Sequence, residues 1–155
     1  MPHYNFKDDF AVARKTESQI ANFLQEIYGY SIVSWCNTKD YDFIAVNNLN
    51  EDVYYEVKED FTCKRTGNVG VEYSSWGRES GIVTTKADKY IWKVHAPDTT
   101  IRVYEMTVRE LREHIANKKY FREVVGGDVG SESKNYLFKL EFFEKNATFL
   151  GYLER

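Results

Sequence analysis

Over residues 16–28 the apolar positions Ile20, Phe23, Leu24 and Ile27 recur three and four apart, the spacing of one helix face, and Gly29 follows as a stop. The pattern predicts a first helix. The period then shortens. Residues 31–35, 41–46, 53–58 and 68–73 are short runs rich in β-branched and aromatic side chains, and they predict strands, with the polar stretch 47–52 as a hairpin-type connection. Residues 74–81 form a glycine-bounded polar loop, and Thr85 with Asp88 three positions later predicts a short helical turn. Two more strands follow, over 90–95 and 101–106, around a turn containing Pro97 and Asp98. Thr107 and Glu110 have the spacing of a capping box for a helix that carries Leu111 and Ile115 and ends near Asn117. The glycine-rich residues 126–133 predict a flexible loop before a last strand over 136–142. Helix, several strands, helix and strand give an α/β or α+β architecture with much of the sheet antiparallel, in a single domain over residues 1–155.

Composition narrows the class without naming an activity. A chain of 155 residues holds one domain with a true core, and 43% hydrophobic, 29% charged and 16% aromatic content excludes a disordered chain. No apolar run approaches the roughly 20 residues of a membrane helix, and the first ten residues lack a basic-then-apolar signal pattern, so a cytoplasmic protein without membrane contact is expected. Cys36 and Cys63 fall in no metal-ligand spacing and are expected to be two reduced thiols rather than part of a zinc site. A net charge of −3 gives no general attraction to nucleic acid. DNA binding would need local basic surface. Lys58, Lys64, Arg65, Arg78, Lys86, Lys89 and Lys93, concentrated in the middle of the chain, either supply it or are scattered solvating charge.

The candidate chemistry lies in the second and third predicted strands. Side chains alternate along a strand, so Tyr54, Glu56 and Lys58 share one face and Val53, Tyr55 and Val57 the other. Asp42 opens the neighbouring strand, which brings two carboxylates and an ammonium together. Buried carboxylates repel unless a cation compensates, and oxygen-only ligands favour Mg²⁺ or Mn²⁺ over zinc. A lysine beside such an ion can hold an attacking water and offset transition-state charge, a division of labour suited to phosphodiester hydrolysis. Glu17 falls on the apolar stripe of the first helix, three residues before Ile20 and seven before Leu24. It is either a carboxylate turned toward this site or a partly exposed residue at the stripe's edge.

Asp42 followed by Glu56-Val57-Lys58, with Glu17 on a preceding helix, resembles the PD-(D/E)XK nuclease superfamily, Tyr41 standing where the motif often has proline. Residues 67–90 are similar to the continuation seen in small phage-type members, and the likeness extends loosely to the loop at 126–128. The resemblance implies a restriction-endonuclease-like core, a central mixed β-sheet flanked by helices with the active site at one sheet edge. It also implies a Mg²⁺-dependent deoxyribonuclease, with Mn²⁺ able to substitute and DNA as partner. Glu17, Asp42 and Glu56 would hold the metal and Lys58 would position the water. Two other readings of the same residues are a structure-selective resolvase acting on branched DNA as a homodimer, and a nuclease-like fold kept as a catalytically silent nucleic-acid-binding module.

Other residues are open to two readings each. Glu72 is an auxiliary acid near the metal or a solvated strand residue; Arg78 and Lys86 touch phosphate or are merely solvated. Trp76 stacks on a base or folds back onto the core. Asp88 is expected to order a loop rather than to bind metal. His3, His95 and His114 are too far apart in sequence to suggest shared chemistry.

Overall fold

The computed structural model describes residues 6–126 and 132–154. Helix α1 (Phe6–Tyr28) begins well before the predicted start at Thr16 and stops at Gly29, whose left-handed backbone (φ 72°) lets its amide bond back to Gln25. Then come strands β1 (Ser31–Trp35), β2 (Phe43–Val46) and β3 (Asp52–Asp60), a one-turn helix α2 (Cys63–Thr66), strands β4 (Asn68–Ser75) and β5 (Arg78–Glu79), and a 3-10 turn (Gly81–Val83). Strands β6 (Lys89–His95) and β7 (Ile101–Thr107) precede helix α3 (Val108–Ala116). The chain closes with β8 (Arg122–Gly126), β9 (Ser133–Lys139), α4 (Leu140–Asn146) and β10 (Thr148–Leu153).

Six strands build the central sheet in the order β1-β2-β3-β6-β7-β10, and a second sheet has the order β5-β4-β9-β8. In the central sheet β3 and β6 run parallel and the other neighbours antiparallel, so the sheet is mixed, as expected. The parallel pair requires a crossover, and residues 61–88 make it by way of the second sheet. One face of the central sheet receives α1: Ile20, Phe23 and Leu24 pack on Phe43, Tyr55, Ile91 and Val103. Each such aliphatic or aromatic side chain, fully buried, contributes about 1.5–3 kcal/mol, which fixes the rotation of the helix. Against the other face lie β4 and β9 with α3 and α4, through Val69, Val71, Phe138, Leu111 and Phe143 against Tyr90, Trp92 and Tyr104.

Several local expectations are corrected. The predicted last strand over 136–142 is β9 followed by α4: Leu140 and Phe143 lie three apart and both are buried, so helical spacing wins over alternation. Strands β8 and β10 form where the pattern predicts no strand. The helical turn expected at Thr85–Asp88 forms earlier, at Gly81–Val83. Gly81 has φ 56° and a Cβ there would sit 2.2 Å from the Glu72 carbonyl oxygen, so only glycine lets this turn press against β4. The loop over 74–81 is in fact the hairpin of β4 and β5. Thr107 caps α3 as expected, accepting the Glu110 N–H at 3.0 Å. His3 and residues 127–131 of the predicted loop lie outside the described residues.

Candidate active site

The pairing of β2 with β3 ends at Phe43 opposite Tyr55, while β3 continues for five more residues. That leaves a bare strand edge. Asp42, one step before β2, occupies it: its N–H donates to the Tyr55 carbonyl at 2.8 Å, and its Oδ2 accepts the Val57 N–H at 2.6 Å, a donor that a longer β2 would have taken. A carboxylate is thereby held at the strand's edge by the backbone itself. Glu56 and Lys58 stand on the second-sheet face of β3, beside Tyr90 and Trp92 of β6. Glu17 comes from α1 on the opposite face and meets Asp42 around the open edge. Together the four line a groove of about 400 Å³ whose rim includes Val12, Thr16 and Phe61.

The electrostatics of the cluster follow from crowding. Burial raises the Glu56 carboxyl to about 8, helped by Asp42 and opposed by Lys58 and by the Thr85 hydroxyl. Burial likewise raises Glu17 to about 7, with Asp42 adding to it and Arg14 and Lys58 opposing. Asp42 hydrogen-bonds to both glutamates. Two carboxylates can share such a bond only with a proton between them. At neutral pH the cluster therefore keeps protons where a cation could substitute. Lys58 Nζ lies 3.9 Å from Glu56 Oε2 and 5.7 Å from the centre of the Tyr90 ring, so the ammonium is cradled beside the acids while its side chain stays 37% exposed.

Residues that sequence reasoning did not assign to the site hold it in shape. The buried Thr85 hydroxyl donates to Glu56 Oε1 at 3.3 Å, and the following Lys86 N–H donates to the Asp40 carbonyl at 2.8 Å. Asp88 accepts the Tyr54 N–H at 2.9 Å and returns its own N–H to the Tyr54 carbonyl, the loop-ordering role expected of it. On the α1 face Glu59, only 10% exposed, receives the Thr16 hydroxyl, Lys93 Nζ at 3.2 Å and His95 Nε2 at 2.7 Å. These bonds and the one from Lys93 to Gln19 clamp α1 on either side of Glu17.

The other candidates are not brought to the groove. Glu72 sits on β4, where its carboxylate accepts the Ser80 and Ser133 hydroxyls, so it is neither free nor simply solvated. Trp76, at the tip of the β4–β5 hairpin with φ 56° and 69% exposure, does not fold back onto the core. Arg78 and Lys86 are exposed. Of the seven basic residues in the middle of the chain, Lys93 is turned inward and Lys89 is paired with Glu105 at 3.2 Å. Both cysteines are free thiols, and burial raises Cys63 to about 11. No helix among the described residues is long and apolar enough to cross a membrane. Among them, too, no three His, Cys, Asp or Glu side chains already form a metal-ligand set. Compared with known proteins, the chain matches no family model and no curated sequence.

Proposed function

We propose that this groove is the active site of a divalent-cation-dependent deoxyribonuclease of the PD-(D/E)XK kind, an endonuclease that hydrolyses DNA phosphodiester bonds. The observation that carries the reading is the convergence of Glu17, Asp42, Glu56 and Lys58, from α1, the start of β2 and β3, at one bare strand edge. Their chemistry fits a hard cation. Three crowded carboxylates, with burial and Asp42 holding Glu17 and Glu56 well above the usual carboxylate range, offer oxygen ligands whose repulsion an ion relieves, and Glu17, Asp42 and Glu56 are the residues that would hold Mg²⁺ or Mn²⁺. Such an ion supplies charge neutralisation and acidifies water. Lys58 orients the attacking water and donates to the charge that builds on the phosphoryl oxygens. The water oxygen forms a bond to phosphorus as the bond to the leaving oxygen breaks; the water's proton passes to solvent and the leaving oxygen takes one up.

The test measures DNA affinity by fluorescence anisotropy at one fixed salt concentration, since phosphate contacts make binding salt-dependent. Wild type with chelator should bind weakly, Ca²⁺ should restore binding with little cleavage, and an Asp42→Asn, Glu56→Gln double variant should bind without any cation and never cut. Because the two glutamates lose their protons near pH 7 to 8, the gap between the chelator and Ca²⁺ arms should widen as pH rises through that window. Equal affinity in all three arms, with no cleavage in Mg²⁺ or Mn²⁺, would refute the nuclease reading and leave a binding module in its place.

A further inference from the structure

We propose that Phe61 is a base-stacking platform at the mouth of the groove, and that the substrate strand presents an unpaired nucleotide to it, so that single-stranded or locally opened DNA is the substrate class. The proposal rests on the nuclease reading above. A single exposed aromatic is ordinary on a protein surface; the construction behind this one is not. Phe61 is 56% exposed and lines the same groove as the three carboxylates and Lys58. Its ring lies on that of His95, with centroids 4.6 Å apart and planes 20° from parallel. His95 cannot swing away, because Glu59 holds its Nε2 at 2.7 Å and is itself fixed by Thr16 and Lys93.

The backbone that carries Phe61 is held just as closely. Asp60, its neighbour, accepts the Cys63 N–H at 2.9 Å, the Gly70 N–H at 3.0 Å and the Thr62 hydroxyl at 3.0 Å, which ties the turn to α2 and β4. The ring is thus preorganised, and a base settling on it loses little protein entropy. Beyond His95 a second cavity of about 290 Å³ is lined by Lys64, His95 and Thr100, so a strand leaving the platform meets an ammonium suited to its next phosphate. Paired bases inside a duplex already stack on both faces and cannot take this seat. An unpaired or extruded base can.

The experiment uses a set of short single-stranded DNA probes, each carrying 2-aminopurine at one position, with the full-length protein in Ca²⁺. Wild type should quench the fluorescence at one or two adjacent positions; Phe61→Ala should abolish that quenching and lower kcat/KM for Mg²⁺-supported cleavage about 5- to 150-fold, the range expected for one stacked base. Phe61→Tyr should restore both, which separates loss of stacking from loss of folding; thermal melts of the variants provide the same control. A wild type that binds and cuts DNA while Phe61→Ala keeps the quenching and the rate overturns the platform and leaves the nuclease standing. A wild type that neither binds nor cuts DNA overturns both.

Discussion

If the acids at the strand edge hold protons because they are buried together, the folded protein should lose stability as pH rises, with a size that can be worked out. In the unfolded chain Glu56 ionises near 4.5; in the folded protein it does so near 8. Between these values the folded state binds the extra proton, so stability is full below about pH 4.5, falls through the interval and levels off above about pH 8. Each pH unit is worth at most about 1.4 kcal/mol for one group, and the interval for Glu56 therefore about 5 kcal/mol as an upper bound. Relaxation and water entry around the ionised cluster bring the expectation to about 2–3 kcal/mol. Glu17, raised to about 7, acts in the same direction over a narrower window. For a domain of this size the loss corresponds to a fall in Tm of about 4–12 °C. Urea or thermal unfolding from about pH 5 to about pH 8.5 in chelator would measure it, with Glu56→Gln as the control in which most of the slope disappears. Millimolar Mg²⁺ should restore stability at the alkaline end more than at the acid end, because protons and cation compete for the same oxygens. A wild type with a flat profile, or a Glu56→Gln variant with the same slope as wild type, would refute the account of the cluster.

Lys58→Ala should fold and leave cation-dependent DNA binding largely intact while slowing cleavage by about 10²-fold or more, as for other lost transition-state donors; an unchanged single-turnover rate would remove Lys58 from the chemistry. Thr85→Val takes from Glu56 the hydroxyl that favours its ionised form, so Glu56 should ionise at still higher pH in the folded protein, and both the alkaline end of the stability loss and the pH–rate profile should shift upward; a profile superimposable on wild type would return Thr85 to a purely loop-closing part.

What could be read from the sequence was what is local. The α1 stripe over Ile20, Phe23 and Leu24, the parity of β3 and the Thr107–Glu110 cap depend on residues at most a few positions apart, and each is found in the structure, whereas Ile27, the last position of the stripe, is 63% exposed. Glu17, which the stripe leaves either turned toward the site or at its edge, is half-buried and lines the groove. The strand-to-helix switch at Lys139–Leu140 escaped because neither glycine nor proline marks it and the aromatic run continues across it. The clamp around Glu59 escaped for another reason. Its bonds join residues 43 and 36 positions apart, and nothing in Thr16, Lys93 or His95 taken singly announces a shared partner. Trp76 has the sequence context of a loop aromatic, whereas Phe61, the aromatic that lines the groove, follows a charged strand end directly and carries no such local mark.

The parallel pairing of β3 with β6 has a consequence for how the protein reaches its native state. Closing that pair requires residues 61–88 to cross back over the sheet, and those residues carry two strands of a sheet whose other two strands come from beyond α3. Pairings of such sequence separation form slowly, since the loop entropy is lost before the contacts repay it. Thr85, which braces Glu56, lies within that crossover, and the Tyr90 ring beside Lys58 lies just past it. The desolvated pocket around the acids therefore depends on long-range contacts and not on the local segments that carry Glu17, Asp42 and Glu56. The crowding of the three acids is thus a property of the closed fold and not of any one segment.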